Sequence, residues 1–244
     1  MTSTTVLAAV DASPLLQVAG ISKRYNEQTV LADISFPVLA GEIVGLIGPN
    51  GAGKTTLMEA IAGIIPVDGG DVHWRGAPLA ARRRRECMFY LPDGLRPWED
   101  QHVTHVLAFI AAVYGRREPF VVETVGALGL APVLGKRVDA LSKGYGRRLM
   151  LALALLAPHP LLLMDEPFDG FDLRQTRAIM GVLRAVAGRG RTLVLAIHQL
   201  ADAERVCDRF LLLAEGRLRG TGTLDELRRA TGGAALEEVF LALT

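Results

Sequence analysis

Apolar positions along this chain follow two kinds of pattern. Residues 16–36 form two short apolar runs broken at Asn26-Glu27-Gln28, which predicts two strands around a turn. Residues 42–47 are a continuous apolar, β-branched run that stops at a glycine cluster, the mark of a buried strand. Residues 54–64 have helical spacing, and Gly69-Gly70 opens a further short strand over 71–74. Between 100 and 157 the period changes. Apolar positions recur at helical intervals over 103–113, over 121–128 and from Arg147 onward, which predicts a helical lobe set into a mixed core. Strand and helix then alternate: 161–164, a helix over 173–187, 192–197, a short helix over 201–207, and 210–213. Such alternation implies parallel strands with helices on their faces, and ligands at the carboxyl ends of the strands.

Composition narrows the picture. The 244 residues, half of them apolar, can bury one substantial core, or a core with a smaller lobe. A formal charge of +1 argues against a nucleic-acid binder. Cys87 and Cys207 lack CxxC neighbours, so they read as buried thiols of a reducing cytosol and not as metal ligands or a disulfide framework. Residues 1–14 read as a leader, without the basic region of a secretory signal. The most apolar stretch, 149–164, is interrupted by Pro158-His159-Pro160 and falls short of the roughly 18 residues of a spanning helix. Any membrane role is therefore expected to come through a partner.

Gly48-Pro49-Asn50-Gly51-Ala52-Gly53-Lys54-Thr55 matches GxxxxGK[ST] without a gap, between the buried strand and the helix. Glycines let backbone N–H groups wrap a polyphosphate, and the loop ends at a helix N-terminus, where the dipole favours negative charge. Lys54 is expected to neutralise the β- and γ-phosphates, Thr55 to offer its hydroxyl to Mg²⁺, and Thr56 to complete the nucleotide site. Downstream, the apolar run 161–164 ends in Asp165-Glu166. Two acids at the end of a buried strand need a cation or ligand. Their side chains point different ways, so Asp165 is assigned to the metal through water and Glu166 to the attacking water as general base.

The segment Leu141-Ser142-Lys143-Gly144-Tyr145-Gly146-Arg147-Arg148, upstream of the acid pair, completes a set that resembles the ATP-binding cassette (ABC) family. The resemblance spans about residues 15–244. It implies a P-loop α/β core with a mainly parallel sheet, an N-terminal antiparallel β-subdomain and an inserted α-helical subdomain over about 94–157. In that family two copies face head to tail, and Leu141, Ser142, Lys143 and Gly144 would bind the nucleotide held by the other copy. Lys143 and Tyr145 depart from the consensus glycine and glutamine, leaving the hydroxyl and backbone N–H in place. By order along the chain, Tyr25 would stack on adenine, although an aromatic there also suits a core. Asp172 matches the loop that crosses the dimer interface, and His198 the switch histidine at the γ-phosphate. Asp93 stands where the family has a glutamine. It is a candidate metal ligand, or a charge that repels the γ-phosphate and slows turnover.

The implied function is an ATP-hydrolysing, Mg²⁺-dependent subunit, paired as homodimer or heterodimer, that drives a polytopic membrane permease from the cytoplasmic face. Lys143 and the closing segment 236–244 resemble the exporter-like branch. Two alternatives stay open: a cytosolic cassette ATPase without a permease, and an ATP-binding module with weak hydrolysis. The run Arg82-Arg83-Arg84-Arg85 reads as a solvated turn, with contact to lipid headgroups or a partner as the sharper alternative.

Overall fold

The computed structural model describes residues 13–244; most of the expected leader, residues 1–12, lies outside them. Its strands are β1 (Leu16–Tyr25), β2 (Gln28–Val38), β3 (Ile43–Ile47), β4 (Gly69–Trp74), β5 (Ala77–Pro78), β6 (Met88–Leu91), β7 (Leu161–Asp165), β8 (Thr192–Ile197), β9 (Arg209–Ala214) and β10 (Arg217–Gly222). One sheet is antiparallel, in the order β2-β1-β4-β5. The other runs β10-β9-β3-β8-β7-β6, parallel except for the β9–β10 hairpin.

The parallel strands read as unbroken apolar runs because both faces are covered. Ile43, Ile47, Leu162, Met164, Leu193, Leu195 and Ile197 face one core; Val44, Leu46, Leu161, Leu163, Val194 and Ala196 face another. The second core is shared with the antiparallel sheet and α1 (Lys54–Ala62). The first is shared with α3 (Val103–Val113), α5 (Lys143–Leu156) and α6 (Leu173–Gly188). The remaining helices are α2 (Ala81–Cys87), α4 (Glu118–Ala127), α7 (Leu200–Val206), α8 (Leu224–Thr231) and α9 (Leu236–Leu243).

The apolar second half of α5 is buried against α3, α4 and the parallel sheet. Its C-terminal carbonyls are held by two arginines. Arg116 Nε donates to Leu156 O at 2.7 Å, and Arg191 donates to Leu155 O at 3.0 Å and Ala157 O at 2.9 Å. These groups satisfy carbonyls that a helix end leaves without partners. Burial, with the Arg116 charge adding to it, pushes the Arg191 guanidinium down to about 10, still charged at neutral pH.

Several expectations change. The arginine run is not a turn: Arg82–Arg85 lie in α2. Arg82, Arg83 and Arg85 are exposed, whereas Arg84 is buried and donates to Ala60 O at 2.5 Å and Leu79 O at 3.2 Å, closing the end of α1. Helix α5 starts four residues earlier than its apolar period suggests, because Ser142 caps it. Cys207 is buried as expected but Cys87 only half so, and burial pushes both thiols up. No helix among the described residues is long and apolar enough to cross a membrane.

Candidate active site

Strand β3 delivers the chain into the glycine loop at the carboxyl edge of the parallel sheet. A Cβ on Gly48 would overlap the Leu213 carbonyl oxygen of β9, so only glycine fits there. Gly53 stands at the N-cap of α1 with φ 101°, a left-handed backbone that side chains rarely adopt. Lys54 is buried, and its Nζ donates to Gly48 O at 2.8 Å and Pro49 O at 3.2 Å, so the ammonium lies over the loop. Pro49, Asn50 and Gly51 are exposed at the loop tip and Ala52 is buried beneath it.

Strand β7 ends beside this loop. Thr55 Oγ1 donates to Asp165 Oδ2 at 2.6 Å, joining the two sequence motifs across 110 residues of chain. Asp165 is 3% exposed. Burial holds its carboxyl above the ordinary carboxylate range and the Asp93 charge pushes the same way, while the Thr55 hydrogen bond, Lys54 and Arg147 pull it back. A hydroxyl and a buried carboxylate side by side are the hard oxygen donors that suit Mg²⁺, whose charge would offset that burial.

Glu166 leaves the strand in the left-handed region, with φ 48°, and its N–H donates to Ala196 O at 3.0 Å. Such a backbone costs a non-glycine residue on the order of 1 kcal/mol and is typical of functional sites. It turns the carboxylate out of the strand, so that Oε2 lies 2.6 Å from His198 Nδ1 at the end of β8. Lys54, Thr55, Thr56, Asp93, Asp165 and Glu166 all line one open cleft of about 400 Å³.

The signature residues are elsewhere. Ser142 accepts the Tyr145 N–H at 3.4 Å as the cap of α5, and Lys143 pairs with Asp169 at 2.7 Å. Ser142 and Lys143 line a second recess of about 270 Å³, with Asp93 and Arg147, and neither lines the phosphate cleft. Gly144 packs against the loop around Gly170 and Phe171, and Leu141 is half-buried. Asp172 caps α6, accepting the Gln175 N–H at 2.8 Å in a capping box. Tyr25 is half exposed at the end of β1, its ring 5.1 Å from Lys23 Nζ, and is not part of the cleft wall.

Two participants were not read from the sequence. Val30 of β2 lines the cleft, with no motif to announce it. Arg147, which lies within the segment Leu141–Arg148 but was given no role, is buried and its Nη2 donates to Asp165 O at 2.7 Å and to the Glu166 carbonyl. Burial, with Asp165, Glu59 and Asp93 adding to it, raises the Tyr90 phenol beside this cluster.

Residues 31–169 match the ABC transporter family model. The chain belongs to the ABC transporter family. Among its ABC relatives, the zinc transport system ATP-binding protein TroB of Treponema pallidum (strain Nichols) is 33% identical over 240 residues, covering 92% of this chain and 90% of that protein. The Nod factor export ATP-binding protein I of Rhizobium sp. (strain N33) is 33% identical over 231 residues, covering 92% of this chain and 76% of that one. A solved ATP-binding subunit of an ABC transporter superposes with a TM-score of 0.85 at 34% identity, over 94% of this chain and 99% of that chain. The expected ABC architecture is present: a parallel core, an antiparallel β-subdomain and an inserted helical region. As a member of this family the chain is a transporter ATP-binding subunit of an ATP-hydrolysing kind.

Proposed function

We propose that this subunit hydrolyses MgATP to drive a separate polytopic permease from the cytoplasmic face of the membrane, with export favoured over import. The observation that carries the reading is the convergence of Lys54, Thr55, Asp165 and Glu166 on one cleft. Residues 48–56 wrap the triphosphate with backbone N–H groups, Lys54 neutralises its outer oxygens, and Tyr25 stacks on the base. Thr55 and, through water, Asp165 hold Mg²⁺, which when bound supplies positive charge to the β- and γ-phosphates. Glu166 takes the proton of the attacking water, and His198, bonded to it, fixes the carboxylate and reaches the γ-phosphate.

The separation of Ser142 from the cleft within one chain supports a head-to-tail pair, homodimer or heterodimer, in which Leu141–Gly144 complete the partner's site and Asp172 lies at the junction. Closure on ATP gains those contacts, and differential affinity of this kind is what lets a ligand bias a conformation. The helical subdomain, about 94–157, is then the part that faces the permease. The relatives named for zinc transport and for Nod factor export differ in cargo, which suits a subunit whose permease chooses the substrate. Export is favoured by Lys143 in the signature and by the closing helix α9.

The deciding experiment is Glu166→Gln. Turnover should fall by about 10²–10⁴ while MgATP affinity persists and dimers accumulate. Near wild-type hydrolysis would remove Glu166 from the base role. A second reading, ATP as a conformational ligand with weak hydrolysis, is favoured by the charge of Asp93 in the cleft. It requires Asp93→Gln to hydrolyse much faster than wild type.

A further inference from the structure

One guanidinium end joins three functional elements. Arg147 lies in the first turns of α5, 7% exposed at its side chain. Its Nη2 lies 3.1 Å from Asp93 Oδ1, on the loop after β6, and donates to the main-chain carbonyls of Asp165 and Glu166 at the end of β7. Its Nε is buried without a protein partner, so the side chain is committed through the Nη2 end. Arginine suits such a post: it is planar, permanently charged and forked, where lysine offers a single mobile point charge.

Asp93 is the other half. Its carboxylate is half exposed and borders both the phosphate cleft and the recess beside Ser142. Without Asp93, Arg147 would lose its one ion pair within 4 Å and keep only the two main-chain carbonyls as direct partners, with the Asp165 and Asp169 charges farther off. Without Arg147, Asp93 would stand as an uncompensated negative charge at the cleft, and the left-handed turn at Glu166 would lose the donor on its own carbonyl. Arg147 is the buried member of the pair, so removing Asp93 leaves a buried charge short of its counter-ion, whereas replacing both partners together removes that charge as well.

We propose that Asp93 and Arg147 form a charge clamp that fixes α5 and the loop after β6 against the acid pair, with Arg147 the positioning residue for Glu166 and Asp93 the counter-charge that holds it. Asp93 is then engaged by Arg147 and not by a metal ion, and the pairing reduces the charge that it presents to the γ-phosphate. The assignment rests on the reading of Glu166 as base.

The test is a double-mutant cycle of Asp93→Asn and Arg147→Gln. It is read as kcat and KM for MgATP and, on nucleotide-free protein, as emission from Trp98. Trp98 lies on the loop after Asp93 and is one of the two tryptophans; Trp74→Phe in the background leaves it alone. Each single variant should lower kcat about tenfold or more with KM little changed, and each should shift Trp98 emission. The double variant should be no worse than the poorer single, a coupling of contacting residues. Asp93→Glu should restore part of the rate. Should Arg147→Gln fail to fold, Arg147→Lys and Asp93→Asn carry the same comparison.

Independent, multiplying effects would overturn the clamp. So would Asp93→Asn that raises the Mg²⁺ requirement without moving Trp98, or Asp93→Gln that outpaces wild type. Because the Trp98 signal needs neither nucleotide nor turnover, a failed clamp is distinguishable from a failed assignment of Glu166.

Discussion

The phosphate loop and the signature segment both present a helix N-terminus, yet they are built in opposite ways. Helix α1 begins at Gly53 with no side-chain cap, and the loop before it is fixed by backbone geometry against β9. Helix α5 begins at Ser142, whose hydroxyl already accepts one of its first-turn N–H groups, and the segment is held by ion pairs, the exposed Lys143 on Asp169 and the buried Arg147 on the half-exposed Asp93. The first arrangement is a finished cradle inside one chain. The second is a surface whose shape depends on charges and which lies away from its own chain's cleft. The difference suits a site of two unequal halves, one rigid and one adjustable.

Experiments can break each half in turn. Lys54→Ala should act most strongly, lowering ATP affinity on the order of 10- to 100-fold for the loss of a charge-assisted contact, as read by calorimetry. Unchanged affinity would mean that the loop is not a cradle. Gly48→Ala should destabilise the fold by about 1–3 kcal/mol through overpacking against β9, measured by chemical denaturation. On the other side, Asp172→Ala should cost about 1 kcal/mol through the lost cap of α6, with ATP affinity of the isolated subunit unaltered.

The smallest effect is a pH dependence. The Lys143 hydrogen bond holds the Asp169 carboxyl below its ordinary value of 3.8. A depressed carboxylate stabilises the fold above that ordinary value and loses the contribution as pH falls through its folded value. Lys143→Met should therefore cost less than about 1 kcal/mol at neutral pH, the pair being exposed, and wild type and variant should converge in acid. A gap that persists at pH 2 would show that Lys143 acts by packing instead.

What the sequence disclosed follows the same division. The cradle was legible because a backbone requirement is written locally: glycines at fixed spacing, an apolar run before them, a lysine and threonine after. The strand over 161–165 was legible for a similar reason, being apolar until its two acids. Arg147, Arg84 and Arg191 were not, since each acts through carbonyls or carboxylates remote in sequence, and nothing local separates a buried arginine from a solvated one. The strand Arg217–Gly222 and the helix Leu224–Thr231 were also missed. The first is a half-exposed edge, and the second is short and polar, burying only Leu227; its sequence signal is the capping box of Thr223 and Glu226, which was not read.

One consequence of the doubly gripped helix α5 is mechanical. Its 14 residues span about 21 Å, with Ser142 at one extremity and the Arg116–Arg191 clasp at the other. A rod anchored at its far end turns as a lever. In the head-to-tail pair proposed above, pressure on the serine tip would pass along the helix to α3 and α4, which pack against it.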